Sequence, residues 1–147
     1  MAKKIERFQL LLDLAERKRK EAERLLAEAQ QRVSQAQAGL TQLQQYQLEY
    51  QQQFQTAGQG GLSSGGVQAY QGFISKLSAT SLQQQEALKQ SQAQLEQVEA
   101  HWRQTLAHYK AMQKLLDKAL DEQRAHDEKR LQQELDERSQ HIRTNFL

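Results

Sequence analysis

The chain has 147 residues, of which 37% are apolar and 26% are charged, and its net charge at neutral pH is +2. This length allows one domain, predicted over residues 1–147, but so small an apolar fraction suits a narrow seam between two helices better than a deep globular core. The absence of cysteine excludes a disulfide framework and a thiolate site, and the nearly balanced charge gives no indication of nucleic-acid binding.

The first segment, about residues 3–57, contains no proline and repeats apolar residues every seven positions, which predicts a long coiled-coil helix. The repeat consists of Phe8, Ala15, Ala22, Ala29, Ala36, Leu43, Tyr50 and Ala57. Leu11 and Leu12 accompany it near the start of the helix. The alanines leave room for bulky side chains from a partner helix.

A basic run near the start of this helix has two interpretations. It consists of Arg17, Lys18, Arg19 and Lys20, with Glu16 before it and Glu21 and Glu23 after it. Mixed charge of this kind is typical of the solvated face of a coiled coil. The alternative is that the basic side chains bind phosphates or an acidic groove on a partner protein.

Residues 58–66 form the predicted joint between two helices. The chain has no proline, and five of its seven glycines lie in this stretch together with Ser63 and Ser64. Glycine and serine at this density favour a turn. We therefore predict an all-α fold, a two-helix antiparallel coiled-coil hairpin with an overhanging C-terminal helix.

The second helix is predicted over about residues 67–140, with a frayed C-terminal end. Its seven-residue repeat is mainly bulky and consists of Val67, Ile74, Ser81, Leu88, Leu95, Trp102, Tyr109 and Leu116. Folding back about the joint sets Ala15, Ala22 and Ala29 against residues near 110, 102 and 95, so that small side chains face large ones.

On this pairing Phe8 meets residues 116–119, which leaves everything after Leu120 without a partner helix. The apolar residues of this overhang are Ala125, Leu131, Leu135 and Ile142, and they stand among dense charge. A charged helix without a partner is either an interaction tail or a frayed end.

Aromatic and aliphatic residues gather on both sides of the joint. The set is Leu43, Tyr46, Tyr50 and Phe54 in the first helix and Tyr70, Phe73, Ile74 and Leu77 in the second. A two-stranded coil buries one stripe per helix and Phe73 falls outside it, so part of this surface should be exposed to a partner protein. The alternative is a locally thicker core.

Catalytic and metal-binding motifs are absent from the sequence. It contains no glycine-rich phosphate loop, no Gly-x-Ser-x-Gly elbow and no His-Glu-x-x-His motif. His101 and His108 share a helix face but stand two turns apart, about 10 Å, which is too far for one metal ion. We therefore expect no enzymatic activity, no cofactor and no metal site.

Several short motifs, in this order and spacing, resemble the FliJ family of flagellar type III export proteins over nearly the whole chain. They are Arg7–Glu16 (RFQLLLDLAE), Tyr46–Tyr50 (YQLEY), the glycine joint, Tyr70–Ile74 (YQGFI), Trp102 with Arg103, and the charged ending from Asp127 to Arg138.

The resemblance implies a monomeric cytoplasmic protein, similar to the central stalk of rotary ATPases and peripheral to the inner membrane at the flagellar base. Its implied partners are the hexameric export ATPase, the membrane export gate and export chaperones, without nucleic acid or membrane insertion. ATPase contact is implied, together with the C-terminal helix, for Phe8, Leu11, Leu12 and the segment 13–24, within which the named residues are Arg17, Lys18, Arg19 and Lys20. Gate contact is implied for Leu43, Tyr46, Tyr50, Phe73 and Leu77.

Two residues depart from the pattern that the family tends to carry, Gly39 and Gln84. A glycine within a helix costs about 1 kcal/mol of helix stability.

The alternative function is a generic coiled-coil scaffold or chaperone without an ATPase partner. A nucleic-acid-binding arm fits less well, because basic residues are interleaved with acidic ones.

Overall fold

The computed structural model describes residues 2–61 and 63–146, and within them the chain forms two helices and no strand. Helix α1 spans Ala2–Gln59 and helix α2 spans Ser64–Phe146. The predicted all-α helical hairpin is confirmed. Its physical basis is the lack of proline together with an abundance of Leu, Ala, Gln, Glu and Lys, which favour the helix. Leu62, part of the predicted joint, lies outside the described residues, as do Met1 and Leu147.

The connection between the helices is shorter than the predicted joint, because glycines are taken into both helices. α1 continues to Gln59, and the amide of Gly60 then donates to the carbonyl of Ala57 over 3.1 Å. Gly61 has a φ of 84°. This left-handed conformation suits glycine, which has no Cβ to clash, and it commonly ends a helix.

α2 begins at Ser64, earlier than its first apolar residue, because Ser63 caps it. The amide of Gly66 donates to Ser63 Oγ over 3.2 Å, and the amide of Val67 donates to the Ser63 carbonyl over 3.2 Å. A serine hydroxyl that accepts from the third helical amide is a typical N-cap. This cap offsets the poor helix propensity of two glycines in the first turn.

The chain divides into two compact units, which are described separately. The terminal unit comprises Met1–Glu21 with Arg103–Leu147, and the joint unit comprises Ala22–Trp102. The single domain expected over residues 1–147 stays a prediction.

In the joint unit, small side chains occupy the most buried seam positions. Ala22 and Ala29 are 1% and 3% exposed, whereas the bulky Leu88, Leu95 and Trp102 are half-buried. A side chain with only one carbon lets the facing helix approach closely, so the larger residues cover the alanines. This distribution of burial agrees with the predicted packing of small residues against large ones.

Further along the joint unit, Gly39 lies beside Gln84. A Cβ added at Gly39 would stand 3.7 Å from Gln84 Oε1. The two residues that depart from the family pattern therefore face each other. Their pairing lies within one helical turn of the predicted alignment.

In the terminal unit, the two segments also run antiparallel. The buried residues are Ala15, Leu116 and Ala119. Lys4 Nζ lies 3.9 Å from the Glu122 carboxylate, and the Arg19 guanidinium lies 4.7 Å from the centroid of the Tyr109 ring. A later residue of α1 thus meets an earlier residue of α2, as antiparallel pairing requires.

α2 extends well beyond this paired region and ends at Phe146, past the predicted end near residue 140. Every described side chain from Arg124 to Asn145 is exposed. Pairs four residues apart support the helix here, such as Arg130 and Glu134, whose side chains are 3.7 Å apart. We call residues 124–145 the C-terminal overhang.

No helix in the described part of the chain combines the length and the apolar character that crossing a membrane requires.

Candidate partner-binding surfaces

Four aromatic rings in the joint unit stack in a continuous row across the two helices. The ring centroids of Phe54 and Tyr70 are 3.7 Å apart, those of Tyr70 and Tyr50 are 5.9 Å apart, and those of Tyr50 and Phe73 are 4.0 Å apart. Stacked rings attract each other beyond the effect of their buried area, so the row holds its side chains in fixed positions. Tyr46 lies one turn before Tyr50, and we call these five residues the aromatic surface.

The aromatic surface is partly buried and partly exposed. Its inner rings are half-buried, namely Tyr50, Phe54 and Tyr70. Phe73 and Tyr46 are 39% and 51% exposed. Each sequence-based interpretation therefore applies to part of the set, since the inner rings thicken the core and the outer two present apolar area to solvent.

An open groove of about 210 Å³ lies beside the inner rings. Its lining includes the aromatic side chains of Tyr50, Phe54 and Tyr70 and the small residues Ala57, Gly66 and Ala69. A groove of this kind accepts one inserted side chain from a partner rather than a small-molecule ligand, which needs a more enclosed site.

The remaining predicted gate residues, Leu43 and Leu77, are half-buried. Leu48 is exposed, and the sequence-based prediction omitted it. Because Leu48 lies two positions after Tyr46, it points away from the aromatic surface and does not enlarge it.

The terminal unit exposes a second apolar surface near the start of α1. Leu10, Leu11 and Leu14 are exposed, Leu10 to the extent of 70%. We call these three residues the leucine surface. Of the residues predicted to contact the ATPase, Leu11 is exposed here, whereas Phe8 and Leu12 are half-buried.

Leu10 was not among the predicted ATPase contacts, and Leu14 was included only as part of the segment 13–24, although the sequence contained a signal for both. The two leucines are four positions apart and therefore share one face of the helix. Ala15 marks the buried seam, and Leu14 is offset from it by about 100° around the helix. Plotting the leucines around the helix would have indicated an outward-facing pair.

The basic run does not act as a single patch. The Arg19 guanidinium lies over the Tyr109 ring, and Lys20 Nζ lies 3.4 Å from the Glu16 carboxylate. These two side chains therefore have contacts within the terminal unit.

Arg17 and Lys18 are exposed. They lie three and four positions after Leu14, so they share its face of α1 and continue the leucine surface with positive charge. The arrangement suits an apolar patch on a partner that carries acidic groups nearby.

Within the described residues, no three side chains among His, Cys, Asp and Glu come close enough together to hold a metal ion.

Comparison with known protein families matches residues 3–145 to the family described as Flagellar FliJ protein. Neither the curated proteins nor the solved structures give a match. The matched range contains both the leucine surface and the aromatic surface.

Proposed function

This chain belongs to the flagellar FliJ protein family, as its motifs predicted, and is therefore a flagellar export-related protein; we propose that it acts as a stalk between the export ATPase ring and the membrane export gate. The family match over residues 3–145 carries the proposal. It is supported by the leucine surface and the aromatic surface, one in each compact unit, because a linking protein needs two binding surfaces. The stalk would work at the cytoplasmic face of the inner membrane, at the flagellar base.

The leucine surface, with Arg17 and Lys18, is the proposed contact with the ATPase. Burial of exposed leucine side chains in a partner groove releases about 25 cal/mol for each Å² of apolar area removed from water. The two cations accelerate the encounter with an acidic patch and orient the helix within it. Arg19 and Lys20 support the helix through their contacts with Tyr109 and Glu16.

The aromatic surface is the proposed contact with the export gate. Stacking already fixes the positions of Phe73 and Tyr50, so binding would cost little further side-chain entropy. Tyr46 and Phe73 supply exposed aromatic area, and aromatic residues are frequent among the side chains that dominate binding energy. The adjacent groove would receive one side chain of the gate protein.

Coupling of nucleotide turnover to the gate and handling of export chaperones are parts of the proposal that the family match alone supports.

Substitution of the leucine surface tests the ATPase contact. We expect the full-length double variant Leu10→Ser with Leu14→Ser to bind the purified export ATPase at least about tenfold more weakly, which corresponds to about 1.4 kcal/mol of lost binding free energy. Stimulation of ATP hydrolysis should fall in parallel. Binding is measured by calorimetry and hydrolysis by phosphate release.

Leu82→Ser is the matched control, because Leu82 is as exposed as Leu10 but lies in the joint unit. The control should bind and stimulate the ATPase as the unsubstituted chain does. If the double variant also retained full affinity, the leucine surface would be ruled out as the contact. If the unsubstituted chain did not bind the ATPase at all, the generic scaffold function would replace the stalk.

A further inference from the structure

The C-terminal overhang carries an apolar stripe that no other described part of the chain covers. Leu131, Leu135 and Ile142 are 57%, 50% and 56% exposed. Their spacings of four and seven residues place them, with Arg138, within an arc of about 60° on one helix face. We call these four residues the overhang stripe.

The overhang stripe does not continue the seam that packs against α1. The buried seam residues of α2 in the terminal unit are Leu116 and Ala119. At about 100° per residue, the centre of the stripe lies roughly 100° around α2 from the midpoint of these two residues. Further pairing with α1 along the same seam would therefore leave the stripe exposed.

Polar residues border the overhang stripe differently on its two sides. Glu134 and His141 lie on one side and, with Glu137, Arg138 and Ile142, line a shallow depression of about 400 Å³. Gln132 and Ser139 lie on the other side and are uncharged. Apolar positions flanked by polar ones in this spacing are typical of a coiled-coil face.

We propose that the overhang pairs antiparallel with the overhang of a second copy of this chain. Leu131 of each copy packs against Ile142 of the other, and Leu135 of each packs against Arg138 of the other. The same patch serves both copies, as a two-fold symmetric contact requires. The inference rests on the overhang stripe and does not depend on the proposed stalk function.

Charge selects this antiparallel pairing. A parallel pair in register would set the two Arg138 side chains against each other, which is unfavourable. In the antiparallel pair the stem of Arg138 covers Leu135, and its guanidinium reaches Glu134 of the second copy. Glu134 also faces His141 of the second copy, while Gln132 and Ser139 meet on the other side without like charges.

The contact is short, so the association should be weak and reversible. Stable protein–protein interfaces usually bury a total of at least about 1,200 Å² of surface. Two helices in contact over about five turns bury a smaller area. A dissociation constant on the order of 100 µM is expected.

Sedimentation equilibrium of the full-length chain tests the proposal. We expect the weight-average molar mass to rise from that of a monomer towards that of a dimer as the protein concentration increases through about 100 µM. The variant Leu131→Ser with Leu135→Ser should stay monomeric, while Leu82→Ser, which replaces an exposed leucine elsewhere in α2, should associate like the unsubstituted chain. Circular dichroism checks that helix content is unchanged in both variants.

Cross-linking between introduced cysteines tests the antiparallel orientation of the two overhangs. The chain has no cysteine of its own, so only the introduced residues react. An equal mixture of the Gln132→Cys and Ser139→Cys variants should give covalent dimers with a short bis-maleimide, whereas Gln132→Cys alone should give few. Equal yields from the mixture and from Gln132→Cys alone would overturn the antiparallel pairing.

Two further results would overturn the proposal. One is a chain that stays monomeric at every concentration. The other is a Leu131→Ser with Leu135→Ser variant that associates like the unsubstituted chain but loses affinity for the export ATPase, because the stripe would then belong to that partner.

Discussion

Gly39 lies within α1 among residues that favour the helix. The structure shows which atom a side chain at this position would contact. The Cβ of an alanine would lie 3.7 Å from Gln84 Oε1, an ordinary contact distance. Gly39→Ala should therefore raise the free energy of unfolding by about 0.5–1 kcal/mol, through lower backbone entropy in the unfolded chain. Urea denaturation followed by circular dichroism measures the change.

Two other glycines serve as controls. Gly72 lies in α2 with no atom near its added Cβ, so Gly72→Ala should stabilise by a similar amount. Gly61 has a φ of 84°, so Gly61→Ala should destabilise by about 1 kcal/mol. A loss of stability in Gly39→Ala, with a gain in Gly72→Ala, would show that the approach of Gln84 requires glycine.

Arg19 and Arg17 belong to the same basic run but should differ in their contribution to stability. The Arg19 guanidinium lies 4.7 Å from the centre of the Tyr109 ring, whereas Arg17 is exposed. Arg19→Ala should lower the free energy of unfolding by about 0.5–1 kcal/mol, because it removes a cation–π contact and the packing of the side-chain stem. Arg17→Ala should change it by less than about 0.5 kcal/mol. Equal effects of the two substitutions on thermal unfolding would contradict this assignment.

At this scale the sequence did not predict which side chains of the basic run are free of contacts within the terminal unit and which are not. The basic run was treated as four equivalent side chains, yet Arg19 lies four positions after Ala15 and three before Ala22, both buried. That spacing places Arg19 at the edge of the seam. The contact of Arg19 with an aromatic ring requires Tyr109 on the facing helix. Which residue faces Arg19 is set by the pairing of the two helices and cannot be read from the sequence around Arg19.

The start of α2 depends on one side chain. Ser63 Oγ accepts the Gly66 amide at 3.2 Å, and the first turn contains two glycines with poor helix propensity. Ser63→Ala should therefore cost about 1 kcal/mol and unwind the first turn. Hydrogen exchange at the amides of Gly66 and Val67 should accelerate by roughly fivefold.

Ser63→Asp preserves a side-chain acceptor at the cap and should keep exchange at these amides slow. Ser64→Ala is the matched control, since Ser64 is the first residue within the helix. Protection that is unchanged in Ser63→Ala would show that the cap does not set the start of α2.

At the scale of the elements, the heptad repeat predicted two helices, the alanine column and the approximate pairing. These features follow from periodicity, which the sequence states directly. The helix ends were less predictable, because the Ser63 cap starts α2 at Ser64 although the next two residues are glycines with poor helix propensity. The heptad repeat did not predict that Leu131, Leu135 and Ile142 lie on a face of α2 different from that of the seam residues Leu116 and Ala119.

At the scale of the whole molecule, the proposed stalk binds different partners through two separate regions. The leucine surface belongs to the terminal unit and the aromatic surface to the joint unit. Substitution of one surface should therefore leave binding at the other unchanged, since sites with no shared contacts act independently. This separation is what distinguishes a stalk from a scaffold that uses a single surface.

The most direct test is a bridging experiment with immobilised export ATPase and the purified cytoplasmic domain of the export gate protein. The unsubstituted chain should retain the gate domain on the ATPase. The Leu10→Ser with Leu14→Ser variant should fail to bridge while still binding the gate, and Tyr46→Ala with Phe73→Ala should fail while still binding the ATPase. Gate and ATPase that compete for the chain instead of binding it together would contradict the stalk assignment.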